Sequence, residues 1–102
     1  MIVKHSEVPV EPESRDRAIE AMKWMAAESR AEAGVIDYRV TADLEAPNVL
    51  RIVEQYEDSE AAQSHESSDH LEEFEARIEP CLAGDATLTS FEVTEKRVDP
   101  GP

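Results

Sequence analysis

Two histidines, His65 and His70 in the run His65-Glu66-Ser67-Ser68-Asp69-His70, are the side chains of this sequence best suited to moving protons or binding metal. Their spacing of five is one longer than that of the zinc helix H-E-x-x-H, and on a continuous helix it turns the two rings onto different faces. No third ligand is apparent near them, so no metal is expected. The single cysteine, Cys81, offers no ligand pattern and no internal disulfide, and reads as a small buried hydrophobe at the apolar end of a helix. The other candidates are Glu54, Tyr38 and Tyr56, whose plain alternatives are an ion pair of Glu54 with Arg51 or Arg39 and amphipathic core positions for the tyrosines. His70 could equally cap a helix or face solvent.

The elements that must position these groups follow from periodicity. Residues 2 to 10 read as a strand in which Pro9 marks an N–H that no neighbour needs. Pro12 and Ser14 open a helix with Ser14 as N-cap, Ala18, Ile19, Met22, Met25, Ala26 and Ser29 as its buried stripe, and Gly34 as its C′ residue. Trp24 lies beside that stripe. A strand from Val35 to Val40 places Ile36, Tyr38 and Val40 on one face and Val35, Asp37 and Arg39 on the other. After a turn at Asp43 to Asn48, Val49 to Tyr56 alternates Leu50, Ile52, Glu54 and Tyr56 against Val49, Arg51, Val53 and Gln55. Asp58-Ser59 caps a short helix through His65, and Ser67-Ser68 restarts a second one lined by Leu71, Phe74, Ile78 and Leu82. Thr87 to Lys96 is the last strand. The order β-α-β-β-α-β, with its second helical region split, is an α+β ferredoxin-like topology in a single domain over residues 1–98, and residues 99–102 form a flexible tail. A sheet covered on one side leaves an apolar face open, and a homodimer that buries it gives a dimeric α+β barrel.

Composition narrows the partners. With 24 acidic against 10 basic residues, a net charge of −14 and no Lys/Arg cluster, neither nucleic acid nor an anionic membrane surface is expected. Scarce lysine and scattered acids suggest a halophilic host, where salt screens the self-repulsion. The sequence has no signal-like apolar start and no membrane-length apolar run, which points to a cytoplasmic protein.

Three blocks in order carry a resemblance. Glu32-Ala33-Gly34-Val35-Ile36-Asp37-Tyr38, then Ile52-Val53-Glu54-Gln55-Tyr56-Glu57-Asp58, then Glu60 to Leu71 continued by Phe74, together resemble the antibiotic biosynthesis monooxygenase (ABM) superfamily, and within it the quinol monooxygenases. Tyr56 stands where the family commonly has Trp. The resemblance implies a dimeric α+β barrel and a cofactor-independent oxygenase that acts with dioxygen on a small quinol or aromatic phenol. It further implies a pocket between sheet and helices in which His65, the first choice, or His70 is the general base and Glu54 orients it. Tyr38, Tyr56, Phe74 and Arg51 are then the substrate-binding residues. Haem degradation is not expected, because the relatives that do it carry a Trp in the second helical region and this sequence has none there. The scaffold hosts other functions, so a non-oxidative isomerase of a small carbonyl compound and a ligand-binding or stress module stay as alternatives. An anionic phosphorylated substrate would need Arg39, Arg51 or Arg77 in the pocket.

Overall fold

The apolar alternation along the strands and the 3.6-residue stripe of the first long helix produce two layers in the computed structural model, which describes Met1–Pro102. The strands are β1 (Ile2–Pro9), β2 (Val35–Ala42), β3 (Val49–Tyr56) and β4 (Thr87–Glu92), and the helices are α1 (Arg15–Arg30), α2 (Ser59–Glu66) and α3 (Asp69–Ile78). The strands form one antiparallel sheet in the order β2-β3-β1-β4, the ferredoxin-like α+β arrangement with a split second helical region. No helix is long and apolar enough to cross a membrane.

Helices cover one face only. Val8 of β1, Tyr38 of β2 and Leu50 and Ile52 of β3 meet Ala18, Met22, Met25 and Ala26 of α1 and Phe74 and Ile78 of α3 in one buried core. Each large apolar side chain removed from water there contributes roughly 1.5–3 kcal/mol, and that gain holds helices too short to persist alone. Pro80 follows α3, and the chain passes through a 3-10 turn, Glu79–Cys81, that buries Cys81 completely. The opposite sheet face carries Val3, His5, Val53 and Phe91 among charged residues, with His5 edge-on to Phe91. Every residue of β4 is exposed, including Leu88 and Phe91.

Four local expectations change. Ser14 stands at the N-cap of α1 but makes no side-chain cap, because a 3-10 turn, Pro12–Ser14, already leads the chain into the helix. Helix α1 ends at Arg30, so Gly34 is not its C′ residue. It closes the following turn at φ +83°, where a Cβ would stand 2.6 Å from Cβ of Ala61. Third, β2 contains a bulge: Val35 pairs with Tyr56 but Asp37 with Gln55, so one extra residue sits on β2. Val35 thereby joins Tyr38 and Val40 toward the core, while Ile36 is exposed. Finally, β4 stops at Glu92 instead of Lys96, where it pairs with Ile2, the first residue of β1.

The Gly34 turn lets the chain after α1 approach α2. Gly34→Ala is expected to cost about 2 kcal/mol or more, from left-handed strain plus the clash with Ala61. Urea unfolding beside a Gly84→Ala control, where the added Cβ meets only an ordinary 3.9 Å contact, measures it.

Candidate active site

Two caps create the break that brings the histidines together. Asp58 accepts from the N–H of Ala61 at 2.8 Å to start α2, and Ser68 accepts from the N–H of Leu71 at 3.2 Å to start α3. The Ser68 hydroxyl also donates to the carbonyl of His65 at 2.7 Å, which pins the end of α2 to the start of α3. The chain turns between them, so the two rings do not diverge as they would on one helix: their centres lie 6.0 Å apart. Both reach the same atom. His65 Nδ1 is 2.8 Å and His70 Nε2 2.7 Å from Oε2 of Glu32, in the turn after α1. Against the expectation that no third ligand exists, Glu32 completes a His-His-carboxylate group whose ligand atoms lie within 4.8 Å of one another.

Toward the sheet, His65 meets a second polar cluster. Glu54 and Tyr56 share a face of β3, two residues apart, and the Tyr56 hydroxyl donates to Glu54 Oε1 at 2.5 Å. His65 Nε2 lies 3.9 Å from the same oxygen, and its ring is 5.6 Å from that of Tyr38 and 5.4 Å from that of Tyr56. His65, Glu54, Tyr38 and Tyr56 are all buried. Burial holds the Glu54 carboxyl above its ordinary range, although the Tyr56 hydrogen bond and the His65 and Lys4 charges pull the other way. Burial, then the charge of Glu54, pushes both phenols well above their usual values, so each remains a neutral O–H.

A cavity of about 270 Å³ opens beside this cluster, between the sheet and α2–α3. Lys4, Tyr38, Glu54 and His65 line its polar side, and Leu71, Phe74, Ile78, Leu82 and Leu88 supply apolar walls. Tyr56 supports Glu54 from behind, and His70 reaches the cluster through Glu32. Arg51 does not join it. It projects from the other face of β3, paired with Glu7 at 2.5 Å and Asp43 at 3.0 Å, because its place in the strand alternation is odd to that of Glu54. Arg39 pairs with Asp37, and Arg77 stacks on Trp24 at 4.2 Å, so no arginine lines the cavity. The cavity's cation is Lys4, buried on β1 and paired with Glu66 of α2. Lys4 and Glu32 escaped the sequence reading. Lys4 lies in phase with Val8 on the core side of β1, and Glu32 heads the first of the three motif blocks; those were the available signals.

The sequence profile described as "Antibiotic biosynthesis monooxygenase" matches residues 1–77 of this chain. The chain belongs to that family. It is 25% identical over 95 residues to the "Putative monooxygenase YcnE" of Bacillus subtilis (strain 168), covering 93% of this chain and 100% of that protein. The crystal structure of a conserved protein from Methanosarcina mazei Go1 superposes with a TM-score of 0.85 at 28% identity, over 88% of this chain and 89% of that one. Rv0793 from Mycobacterium tuberculosis shares the ABM-type fold with a TM-score of 0.88 at 18% identity, over 95% and 98% of the two chains. The ABM match ends at Arg77, so it contains Lys4, Tyr38, Glu54 and His65 of the cavity wall.

Because Glu54 holds its proton more tightly in the folded chain than in the unfolded one, stability falls as pH rises from the ordinary carboxylate value through the raised one. Glu54→Gln, which cannot ionise but still accepts from Tyr56, is expected to match the wild type in acid and to gain on it above that window. Urea unfolding of both proteins across the acid-to-neutral range checks the sign.

Proposed function

We propose that this member of the ABM family is a cofactor-independent monooxygenase of a small quinol or aromatic phenol, with His65 as its general base. The observation that carries the reading is the setting of one imidazole: Nδ1 on the carboxylate of Glu32, and Nε2 beside Glu54 on the wall of a mostly apolar cavity. Nδ1–H donating to Glu32 fixes the neutral tautomer whose Nε2 carries a free lone pair. A substrate hydroxyl set against Nε2 passes its proton there. The resulting phenolate reduces dioxygen and forms a ring carbon–oxygen bond, giving a hydroperoxide. Loss of water from that hydroperoxide leaves one oxygen atom on the ring: quinol plus O2 becomes hydroxyquinone plus water, and no external reductant is consumed.

The other residues have matching tasks. Glu54 stabilises the imidazolium as it forms, and Tyr56 holds Glu54 in place. Tyr38 and Phe74 flank the aromatic ring, while Leu71 and Ile78 exclude water, which strengthens the charge interactions inside. Lys4 is suited to pairing with a phenolate oxygen or with the anion formed as dioxygen is reduced. A cavity of about 270 Å³ lies at the small end of ligand sites, which favours compact ring systems.

Two chains pack in this reading through the open sheet face as a homodimer. The exposed Phe91, its neighbour His5, and β4, uncovered along its whole length, support that arrangement.

Oxygen uptake by purified protein, offered a panel of quinols and anthrone-like phenols, is expected to exceed autoxidation. His65→Ala should lower the rate by roughly 100- to 10,000-fold, the span of general-base contributions. A product formed without oxygen uptake overturns the oxygenase reading in favour of an isomerase, and saturable binding without product favours a ligand-binding module. For the dimer, light scattering on Phe91→Asp is expected to report a monomer where the wild type reports twice that mass; a monomeric wild type removes the barrel.

A further inference from the structure

We propose that Glu32, His65 and His70 form a binding site for a single first-row divalent cation of the zinc type. Three separate segments, the turn after α1, the end of α2 and the start of α3, aim one donor atom each at a common point. Two imidazole nitrogens and one carboxylate oxygen are a donor set that zinc and its neighbours in the first row take readily. The rings already stand in the right relation. With zinc–nitrogen bonds of ~2.0 Å, two imidazoles on one ion have centres roughly 5–6 Å apart, and these are 6.0 Å apart with planes at 63°.

In the hydrogen-bonded arrangement Oε2 of Glu32 sits 2.7–2.8 Å from the two nitrogens. Tetrahedral zinc needs its ligand atoms about 3.3 Å apart, an opening of roughly half an ångström per contact. Rotation of the Glu32 side chain supplies that opening, since Glu32 lies in a turn outside any helix or strand, and the two ring nitrogens, within 4.8 Å of each other, close to the same spacing by small turns of the rings. Beyond the ligands, Glu54 stands 3.9 Å from Nε2 of His65, so a shift of about 1 Å would bring its carboxylate onto the remote N–H of the metal-bound ring. His70 and Glu32 keep about a fifth and a seventh of their side-chain surface exposed, so the ion can reach the site from solvent and a water can fill its fourth position. The acidic chain as a whole draws cations.

Binding has a defined chemical consequence. A cation on Nδ1 of His65 forces that ring's proton onto Nε2, the atom that accepts the substrate proton in the oxygenase reading. Inhibition by the ion therefore rests on that reading, but binding does not. Metal-free and metal-loaded forms are two states of one His-Glu cluster, the first a base and the second blocked.

Calorimetry with zinc chloride and cobalt(II) absorption spectroscopy on the chelator-treated full chain test the site. One equivalent of zinc per chain and a tetrahedral cobalt spectrum are expected. Glu32→Gln and His70→Gln should each weaken binding by at least about 100-fold, more than the loss of an outer contact costs, while Asp69→Asn, an exposed acid beside His70, leaves it unchanged. Circular dichroism establishes that the variants fold, and if one does not, the other carries the comparison. Absent binding by the wild type overturns the proposal, as does binding insensitive to the folded Glu32 and His70 variants, which marks ordinary adsorption to surface carboxylates. Oxygen uptake by the same samples separates the two readings: zinc bound stoichiometrically by a protein with no oxygenase activity leaves the site standing and removes only its inhibitory role.

Discussion

The pair of hydrogen bonds that Glu32 accepts from His65 and His70 ties the turn after α1 to the junction of α2 and α3, and the cavity wall follows from it. A carboxylate that is largely buried must be compensated, and two imidazole N–H groups on one oxygen compensate it well. Those donors fix the ring orientation of His65, which in turn presents Nε2 to Glu54 and the tyrosines. The contact is possible because Gly34 carries no side chain against Ala61, so the loop bearing Glu32 can close onto α2.

The burial of charge around this contact is graded. Glu32 and His70 are partly open to water, His65 and Glu54 are closed from it, and Lys4 is enclosed with its partner Glu66 half exposed. Glu54, deep in the cluster, accepts from the neutral phenol of Tyr56. The result is a line of hydrogen bonds from the surface at His70 through Glu32 to His65, with the Tyr56–Glu54 pair 3.9 Å beyond it, in a protein whose exterior is overwhelmingly acidic.

The element order and helix faces were legible in the sequence because they are period signals. The stripe of Met22, Met25 and Ala26 and the alternation through Leu50, Ile52, Glu54 and Tyr56 are local patterns, and burial follows them directly. Strand phase also carried the separation of Arg51 from Glu54, yet the pairing of both with one substrate ignored it. What stayed hidden was non-local. Glu32 lies 33 residues from His65, and nothing in the spacing of the histidines reveals that a third segment folds over them. The turn between α2 and α3 was visible in its serines, but the convergence of the rings depended on its angle. Strand β4 looked longer than it is because its length is set by where β1 begins, a property of its partner.

The extra residue in β2 has an architectural consequence. Val35 and Tyr38 are an odd number of positions apart, yet both point at the helices, which a regular strand forbids. The bulge acts as a phase corrector: it lets the chain leave the Gly34 turn with Val35 packed inward and still deliver Tyr38 inward opposite Glu54. Removing the extra residue, Ile36, would restore regular pairing with Val35 and Tyr38 both still inward, so the bulge is the device that absorbs one surplus residue without turning the phenol away from the cavity.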